Sequence, residues 1–390
     1  MIAYNSKSLD NRDIQEQAED ARERAFITPE ELEAVRAAYP VDLYTPNPYM
    51  RIGIFILTTI IMQFSFGLFC LIMVSAMSEK AFSVLCFFFG AGSYALAEFM
   101  VKDKKHYKSG ADAALIWIAG GFILGGVILA ANAEGNPWGY CLVTLILSTL
   151  FVLRFADVGM SIVAHLSLLA LLFSVLQGLG TTGKIVVPFT VILVSLGVYI
   201  ASLKLSKIHT YRHYKSCLQV LQGVSLLTLY LGGNYFVVRE LSIEMFNLDL
   251  QEGQDIAGGW IFWILTVVLP LLYIYLGIRR KDRILIGVGL LLIAAMVYTI
   301  RFYHSVAPLE VAMTAGGLAM IAVAYGLMRY LKVPRNGFTA DSANERNMME
   351  AVQIESLIIA QTMSHTPSPQ PDQYNYGGGT GGGGGASGEY

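Results

Sequence analysis

Residues 111–132 read ADAALIWIAGGFILGGVILAAN and carry one charged side chain, Asp112. An apolar run of about 20 residues spans roughly 30 Å as a helix, which is the thickness of the hydrocarbon core of a bilayer. Nine further runs of this kind lie between residues 51 and 331. The sequence therefore predicts ten membrane helices, at residues 51–76, 81–101, 111–132, 138–154, 160–178, 185–204, 217–238, 260–278, 284–300 and 307–331.

The composition supports the same fold class. Of the 390 residues, 55% are hydrophobic and only 14% are charged, and the mean hydropathy is +0.54. An average soluble domain carries about 25% charged residues. The net charge of −2 provides no field for nucleic acid. We therefore predict an all-α, polytopic transmembrane bundle whose partners include membrane lipids and exclude nucleic acid.

Positive charge in the loops predicts the orientation of the bundle. Twelve Lys and Arg residues fall in loops after even-numbered helices and four in loops after odd-numbered helices. The longest odd loop, residues 240–259, is acidic. Because Lys and Arg concentrate on the cytoplasmic side, both termini are predicted to lie inside. The twelve are Lys102, Lys104, Lys105, Lys108, Arg154, Lys207, Arg212, Lys215, Arg279, Arg280, Lys281 and Arg283.

The chain divides into four predicted regions. Residues 1–48 form a cytoplasmic N-terminal helical segment, in which Thr28 and Glu31 fit a capping box for a helix over residues 30–38. Residues 49–332 form the ten-helix bundle. Residues 333–365 form a cytoplasmic C-terminal helix, and the Pro- and Gly-rich residues 366–390 are predicted to be disordered. A cytoplasmic protein partner is predicted at residues 341–390, with Tyr390 as a candidate docking residue.

Ionisable groups inside a membrane are costly and indicate function unless they are satisfied locally. None of the charged candidates lies at a predicted midplane, which argues against ion-coupled transport. Gln63 is the deepest and is predicted to hydrogen-bond between helices. His165 forms a predicted polar cluster with Arg154 and Asp157, either as a satisfied structural group or in proton transfer. The complete set of candidate intramembrane polar residues is Gln63, Glu98, Asp112, Arg154, Asp157, His165, Asn234 and Glu310.

No catalytic, cofactor-binding or metal-binding motif is present. The four cysteines lack CxxC spacing, and HTYRHY at residues 209–214 has no acidic or Cys partner nearby. We therefore predict no cofactor, no metal site and no catalytic residue. Gly121 and Gly125 form a GxxxG, which predicts close packing against a neighbouring helix.

Both ends of the bundle resemble the DUF2157 family of polytopic membrane proteins. The resemblance rests on ITPEELEAVRAAYP at residues 27–40, on Arg301-Phe302-Tyr303-His304 with the helix start at Leu309 and Glu310, and on Gly316-Gly317. It implies a multi-pass protein of the bacterial inner membrane. The family brings no established activity to this chain.

Three functions are compatible with the pattern. The leading hypothesis is a scaffold, sensor or envelope-stress protein that acts through its cytoplasmic termini and is not an enzyme. The second is a transporter or channel for a small or lipid-like solute, which requires a cavity lined by Gln63, His165 or Asn234. The third is a membrane-interface enzyme acting on lipid, with chemistry at Glu98, Asp112, His165 or Arg154.

Overall fold

The computed structural model describes residues 2–23, 26–73, 78–131, 137–178, 181–246, 256 and 258–303, with ten further positions between 311 and 329. The described residues are helical with short connections, and their one β-type pairing is an isolated bridge between Tyr44 and His106. The chain divides into two units, Met1–Met328 and Arg329–Tyr390. Of the second unit, only Arg329 is described. The predicted C-terminal helix, the tail and Tyr390 lie outside the described residues.

Twelve α-helices and one 3-10 helix, His209–Tyr214, follow one another in the described part of the chain. The α-helices are α1 (Ser6–Glu23), α2 (Pro29–Ala38), α3 (Pro48–Ile72), α4 (Glu79–Lys102), α5 (Ala111–Ala130), α6 (Pro137–Phe155), α7 (Val158–Gln177), α8 (Thr181–Leu205), α9 (Lys215–Gly233), α10 (Tyr235–Phe246), α11 (Gly259–Arg280) and α12 (Arg283–Tyr303).

The helices make this chain a multi-pass membrane protein. Within the described ranges, nine helices are long and apolar enough to cross a bilayer, and they match the first nine predicted spans. The tenth predicted span, residues 307–331, lies mostly outside the described residues, although its described positions are helical. The capping box at Thr28 is also confirmed, because the Thr28 side chain accepts from Glu31 N–H and the Glu31 carboxylate accepts from Thr28 N–H.

The seventh predicted span is wrong at its end. The helix predicted at residues 217–238 breaks at Asn234, whose backbone is extended (φ −82°, ψ 125°). The Asn234 side chain then accepts from the N–H of Val237, and the N–H of Tyr235 donates to Thr266 Oγ1. These bonds satisfy the backbone groups that the break releases. The short helix α10 follows and occupies the first part of the predicted loop at residues 240–259.

Consecutive helices pack as hairpins, principally α4 with α5, α6 with α7, α8 with α9 and α11 with α12. Gly289 lies at one such contact, where an added Cβ would come within 2.7 Å of Ile274 Cγ1. Gly90 makes the equivalent contact with Ile123 in the α4–α5 hairpin. The predicted packing role of Gly121 and Gly125 is wrong, because a Cβ on either would meet nothing within 4 Å.

Candidate functional site

The first residues of the chain are inserted into one end of the helix bundle. Tyr4 is only 6% exposed and its hydroxyl donates to Asp112 Oδ2 at 3.3 Å. Its ring meets the edge of the Tyr107 ring, with centroids 4.9 Å apart. The N–H of Ala3 donates to the carbonyl of Arg154 at 2.7 Å. Residues 2–5 therefore bind the loop before α5 and the end of α6 together.

Helix α1 attaches the same segment to a third loop. The Arg212 guanidinium donates twice to Asp10, at 2.6 and 2.8 Å, and this pair joins residues 202 positions apart. The Arg12 guanidinium lies over the Tyr107 ring, 4.7 Å from its centroid. We call the three loops at residues 103–110, 156–157 and 206–214, together with the adjoining helix ends, the basic end of the bundle.

Charge complementarity explains why the N-terminal segment binds the basic end. The first 48 residues contain ten acidic and five basic side chains. The facing loops contain Lys102, Lys104, Lys105, Lys108, Lys207 and Arg212. The linker before α3 adds an ion pair between Asp42 and Lys105. In the same linker, the N–H of Tyr44 donates to Lys105 O, and Tyr107 N–H donates back to Tyr44 O.

A cavity of about 420 Å³ lies where the N-terminal segment, α3, α5 and α7 meet. Its polar lining consists of Tyr4, Tyr107, Arg51, Lys108, Asp112 and Asp157. Three of the six described residues with positive φ also line it, namely Lys108 (φ 48°), Gly110 (φ 94°) and Ala156 (φ 49°). Strained backbone of this kind concentrates at functional sites, so the cavity is the leading candidate site.

Gly110 is required at this cavity for two reasons. Its φ of +94° is a conformation that side-chain-bearing residues rarely adopt, and an added Cβ would lie within 3.1 Å of three backbone atoms of α3, the carbonyl C and O of Arg51 and the N of Phe55. The glycine therefore brings the loop before α5 into direct contact with the first turn of α3.

The two carboxylates at the cavity are held by backbone donors. Asp112 Oδ1 accepts from the N–H and hydroxyl of Ser109 and from the N–H of Gly110, at 3.0 to 3.1 Å. Asp157 accepts from Met160 N–H at 2.8 Å as the N-cap of α7. Burial raises the pKa of Asp157, and the neighbouring Asp112 raises it further. Burial also raises the pKa of Tyr4 well above its usual value, which keeps its hydroxyl a donor.

A second cavity of about 300 Å³ adjoins the first and shares Tyr107 and Lys108 with it. Apart from Leu9, its other lining residues are polar, and they come mainly from α1 and from the start of α9, including Asp13, Glu16 and Lys215. Lys108 therefore lines both a cavity beside the membrane helices and a cavity beside the N-terminal segment.

The structure separates the predicted polar cluster of His165, Arg154 and Asp157. Arg154 pairs with Glu98, which also binds Lys102 and the Tyr94 hydroxyl. His165 is only 3% exposed, and its Nε2 lies 2.8 Å from Thr228 Oγ1. Thr228 in turn contacts Ser195 Oγ at 2.9 Å. The three side chains thus bond to different neighbours, so the predicted cluster is wrong.

The remaining candidates are placed as follows. Asn234 donates to the Tyr230 hydroxyl at 2.9 Å and to Thr299 Oγ1 at 3.0 Å, inside the bundle. Gln63 is exposed on the outer surface of α3 and makes no hydrogen bond to any described residue, so its predicted interhelical bond is not found. Glu310 lies outside the described residues.

A third cavity, of about 300 Å³, is lined by His165 and by mostly apolar side chains. It lies between α6, α7, α8 and α9, and Tyr211 and Tyr214 border it at the basic end. Its walls expose almost entirely apolar surface, and the one uncompensated His165 atom, Nδ1, is itself buried. Such a cavity suits an apolar chain rather than an ion.

The sequence-based predictions missed Tyr4, Arg51 and Lys108. Tyr4 precedes a polar stretch, and nothing in the neighbouring sequence indicates its contact with a residue 108 positions away. In the described part of the chain, no group of three or more His, Cys, Asp or Glu side chains is arranged to hold a metal ion, and all four cysteines are free.

Comparison of the chain with protein-family models, with curated proteins and with solved structures finds no match. The resemblance to the DUF2157 family therefore stays a prediction.

Proposed function

We propose that this protein is a membrane-embedded sensor or scaffold that acts through its cytoplasmic termini, and that it resides in a bacterial inner membrane with both ends inside. One observation carries the proposal: residues 2–12 are built into the basic end and join three interhelical loops through Ala3, Tyr4 and Asp10. A change in helix packing at these loops would alter the docking of α1. The loop charge supports the orientation.

The outward surface of the N-terminal segment supports a role in presenting a signal. The side chains of Asp13, Glu19, Asp20, Glu23, Glu30 and Glu33 are exposed on α1 and α2. Leu32, in contrast, is only 2% exposed and faces the interior of the fold. An acidic, ordered surface attached to the membrane bundle is suited to a cytoplasmic partner with basic side chains. The predicted partner at residues 341–390 remains a second part of the proposal.

The sensor proposal is tested by comparing two bilayers. The protein is reconstituted in short-chain and in long-chain phosphatidylcholine, because a mismatch in thickness changes the tilt of membrane helices. Hydrogen exchange of α1 is then measured. We expect α1 to exchange faster in one bilayer, whereas a Tyr4→Ala variant, already undocked, exchanges equally in both. Identical protection of wild-type α1 in the two bilayers would contradict the sensor proposal.

The cavity lined by His165 favours a second candidate, movement of a lipid-like solute. Wild-type protein would then accelerate the transfer of a fluorescent phospholipid across vesicle membranes. An Ala164→Trp variant would fill the cavity, since Ala164 lines it, and would abolish the acceleration. A wild-type rate equal to that of protein-free vesicles would rule out this candidate.

A further inference from the structure

The cavity of about 420 Å³ at the basic end has an apolar side and a charged side. Ile52, Phe55 and Ile116 line it along the membrane helices. Ile52 and Phe55 are 59% and 38% exposed on the surface of the bundle, so the cavity borders the surrounding lipid. Arg51 and Lys108 line the charged side. This combination matches an amphiphile with an anionic head.

The two cations have no carboxylate partner. Within the residues described above, neither Arg51 nor Lys108 makes an ion pair with Asp or Glu. Arg51 Nε is buried and has no hydrogen-bond partner. Burial lowers the pKa of Lys108, and the nearby Arg12 and Arg51 lower it further. A bound anion would relieve both the missing hydrogen bond and the repulsion between the cations.

The two carboxylates of the cavity do not already neutralise these cations. Asp112 accepts four hydrogen bonds, from Ser109, Gly110 and Tyr4. Asp157 is engaged with the N-terminus of α7. Backbone N–H groups at a helix start offset carboxylate charge. Lys108 is also reached from the second, polar cavity, which gives a headgroup room beyond the membrane surface.

We propose that this cavity binds an anionic phospholipid, with its phosphate between Arg51 and Lys108 and an acyl chain along Ile52 and Phe55. The binding does not depend on the sensor function. Phosphate oxygens suit the planar donors of Arg and the point charge of Lys. The backbone conformation of Lys108 and the close approach of Gly110 to α3 place both cations in the lining of the same cavity.

Trp117 provides a local reporter for the test. Its ring lies against Gly159, beside Asp157 of the cavity. The other three tryptophans, Trp138, Trp260 and Trp263, begin α6 and α11 at the other end of the bundle and are replaced by Phe. Full-length protein is reconstituted in phosphatidylcholine vesicles that contain phosphatidylglycerol. Two samples are compared, one with brominated acyl chains on phosphatidylglycerol and one with brominated acyl chains on phosphatidylcholine. The quenching of Trp117 fluorescence is measured in each.

We expect brominated phosphatidylglycerol to quench Trp117 more strongly than brominated phosphatidylcholine at equal mole fraction. Arg51→Gln and Lys108→Gln should each reduce this preference roughly fivefold, because one cation at the surface contributes about that much to anionic-lipid binding. The matched control is Lys104→Gln, in the same loop but exposed. Millimolar inorganic phosphate should leave the preference unchanged, since it lacks the chain.

Three results would overturn the proposal. Equal quenching by the two lipids in the wild type would show that the cavity does not select an anionic headgroup. A loss of preference in Lys104→Gln as large as in Lys108→Gln would indicate general surface charge. Abolition of the preference by inorganic phosphate would assign the cavity to a free anion instead of a lipid.

Discussion

Truncation of Tyr4 should release the N-terminal segment without unfolding the membrane bundle. The Tyr4 ring is 6% exposed and packs on Tyr107, and its hydroxyl binds Asp112. Removing a buried aromatic side chain costs about 3 to 5 kcal/mol, and we take the lower limit of about 3 kcal/mol. Because each 1.4 kcal/mol changes an equilibrium constant tenfold, the equilibrium constant for opening of α1 should rise roughly 100-fold in Tyr4→Ala.

The assay is hydrogen exchange with peptide-level mass spectrometry in a lipid bilayer. Peptides from α1 should lose protection in Tyr4→Ala, while peptides from α11 and α12 stay unchanged. Tyr4→Phe keeps the ring and removes one hydrogen bond, which is worth about 1 kcal/mol, so its opening should rise only about fivefold. Unchanged α1 protection in Tyr4→Ala would show that other contacts hold the segment and would refute the reasoning.

Three further predictions concern single positions. Gly110→Ala should lower the unfolding temperature in detergent, because it strains the backbone and clashes with α3. The control variant Gly121→Ala should not lower it, since an added Cβ there meets nothing within 4 Å. Equal effects of the two variants would contradict the packing at Gly110. The bond from Arg212 lowers the pKa of the Asp10 carboxyl, so the contribution of this pair to the docking of α1 is complete above the ordinary value of 3.8 and is lost as the pH falls below that value through the lowered pKa. Hydrogen exchange of α1 should therefore become a few-fold faster as the pH is lowered across this range, and the Asp10→Asn variant should lack this change. Asn234→Ala removes the bonds to Tyr230 and Thr299 and should destabilise the bundle by about 1 to 3 kcal/mol, measured by denaturant titration; no loss would mean that these bonds are dispensable.

Nine membrane spans could be predicted from the sequence because each one follows from local hydropathy alone. A run such as residues 111–132 must form its backbone hydrogen bonds within itself in a bilayer, whatever its neighbours are. The same argument fails at Asn234. The apolar sequence continues past Asn234 to Val238. The break in the helix depends on a hydrogen bond that the N–H of Tyr235 donates to the hydroxyl of Thr266 in another helix. Only the tertiary structure supplies that partner.

The candidate site could not be predicted, because its contacts join distant parts of the chain. The sequence indicates Asp112 as a candidate, and the structure places it in the first turn of α5 beside the cavity, but nothing in the sequence indicates its partner Tyr4. Gly121 and Gly125 illustrate the opposite error. Their spacing fits a packing motif, yet which face of a helix meets its neighbour is decided by the whole bundle, and here Gly126 meets the Phe87 ring instead.

We propose that the N-terminal segment and the basic loops lie together on the cytoplasmic side. Single cysteines at Glu30, Lys207 and Trp138 test it in bacterial cells, with a membrane-impermeant maleimide and the chain's own four cysteines replaced. All three positions are exposed. The account predicts that Trp138→Cys reacts in intact cells, and that Glu30→Cys and Lys207→Cys react only after the cells are opened. Labelling of Glu30→Cys or Lys207→Cys in intact cells would contradict it.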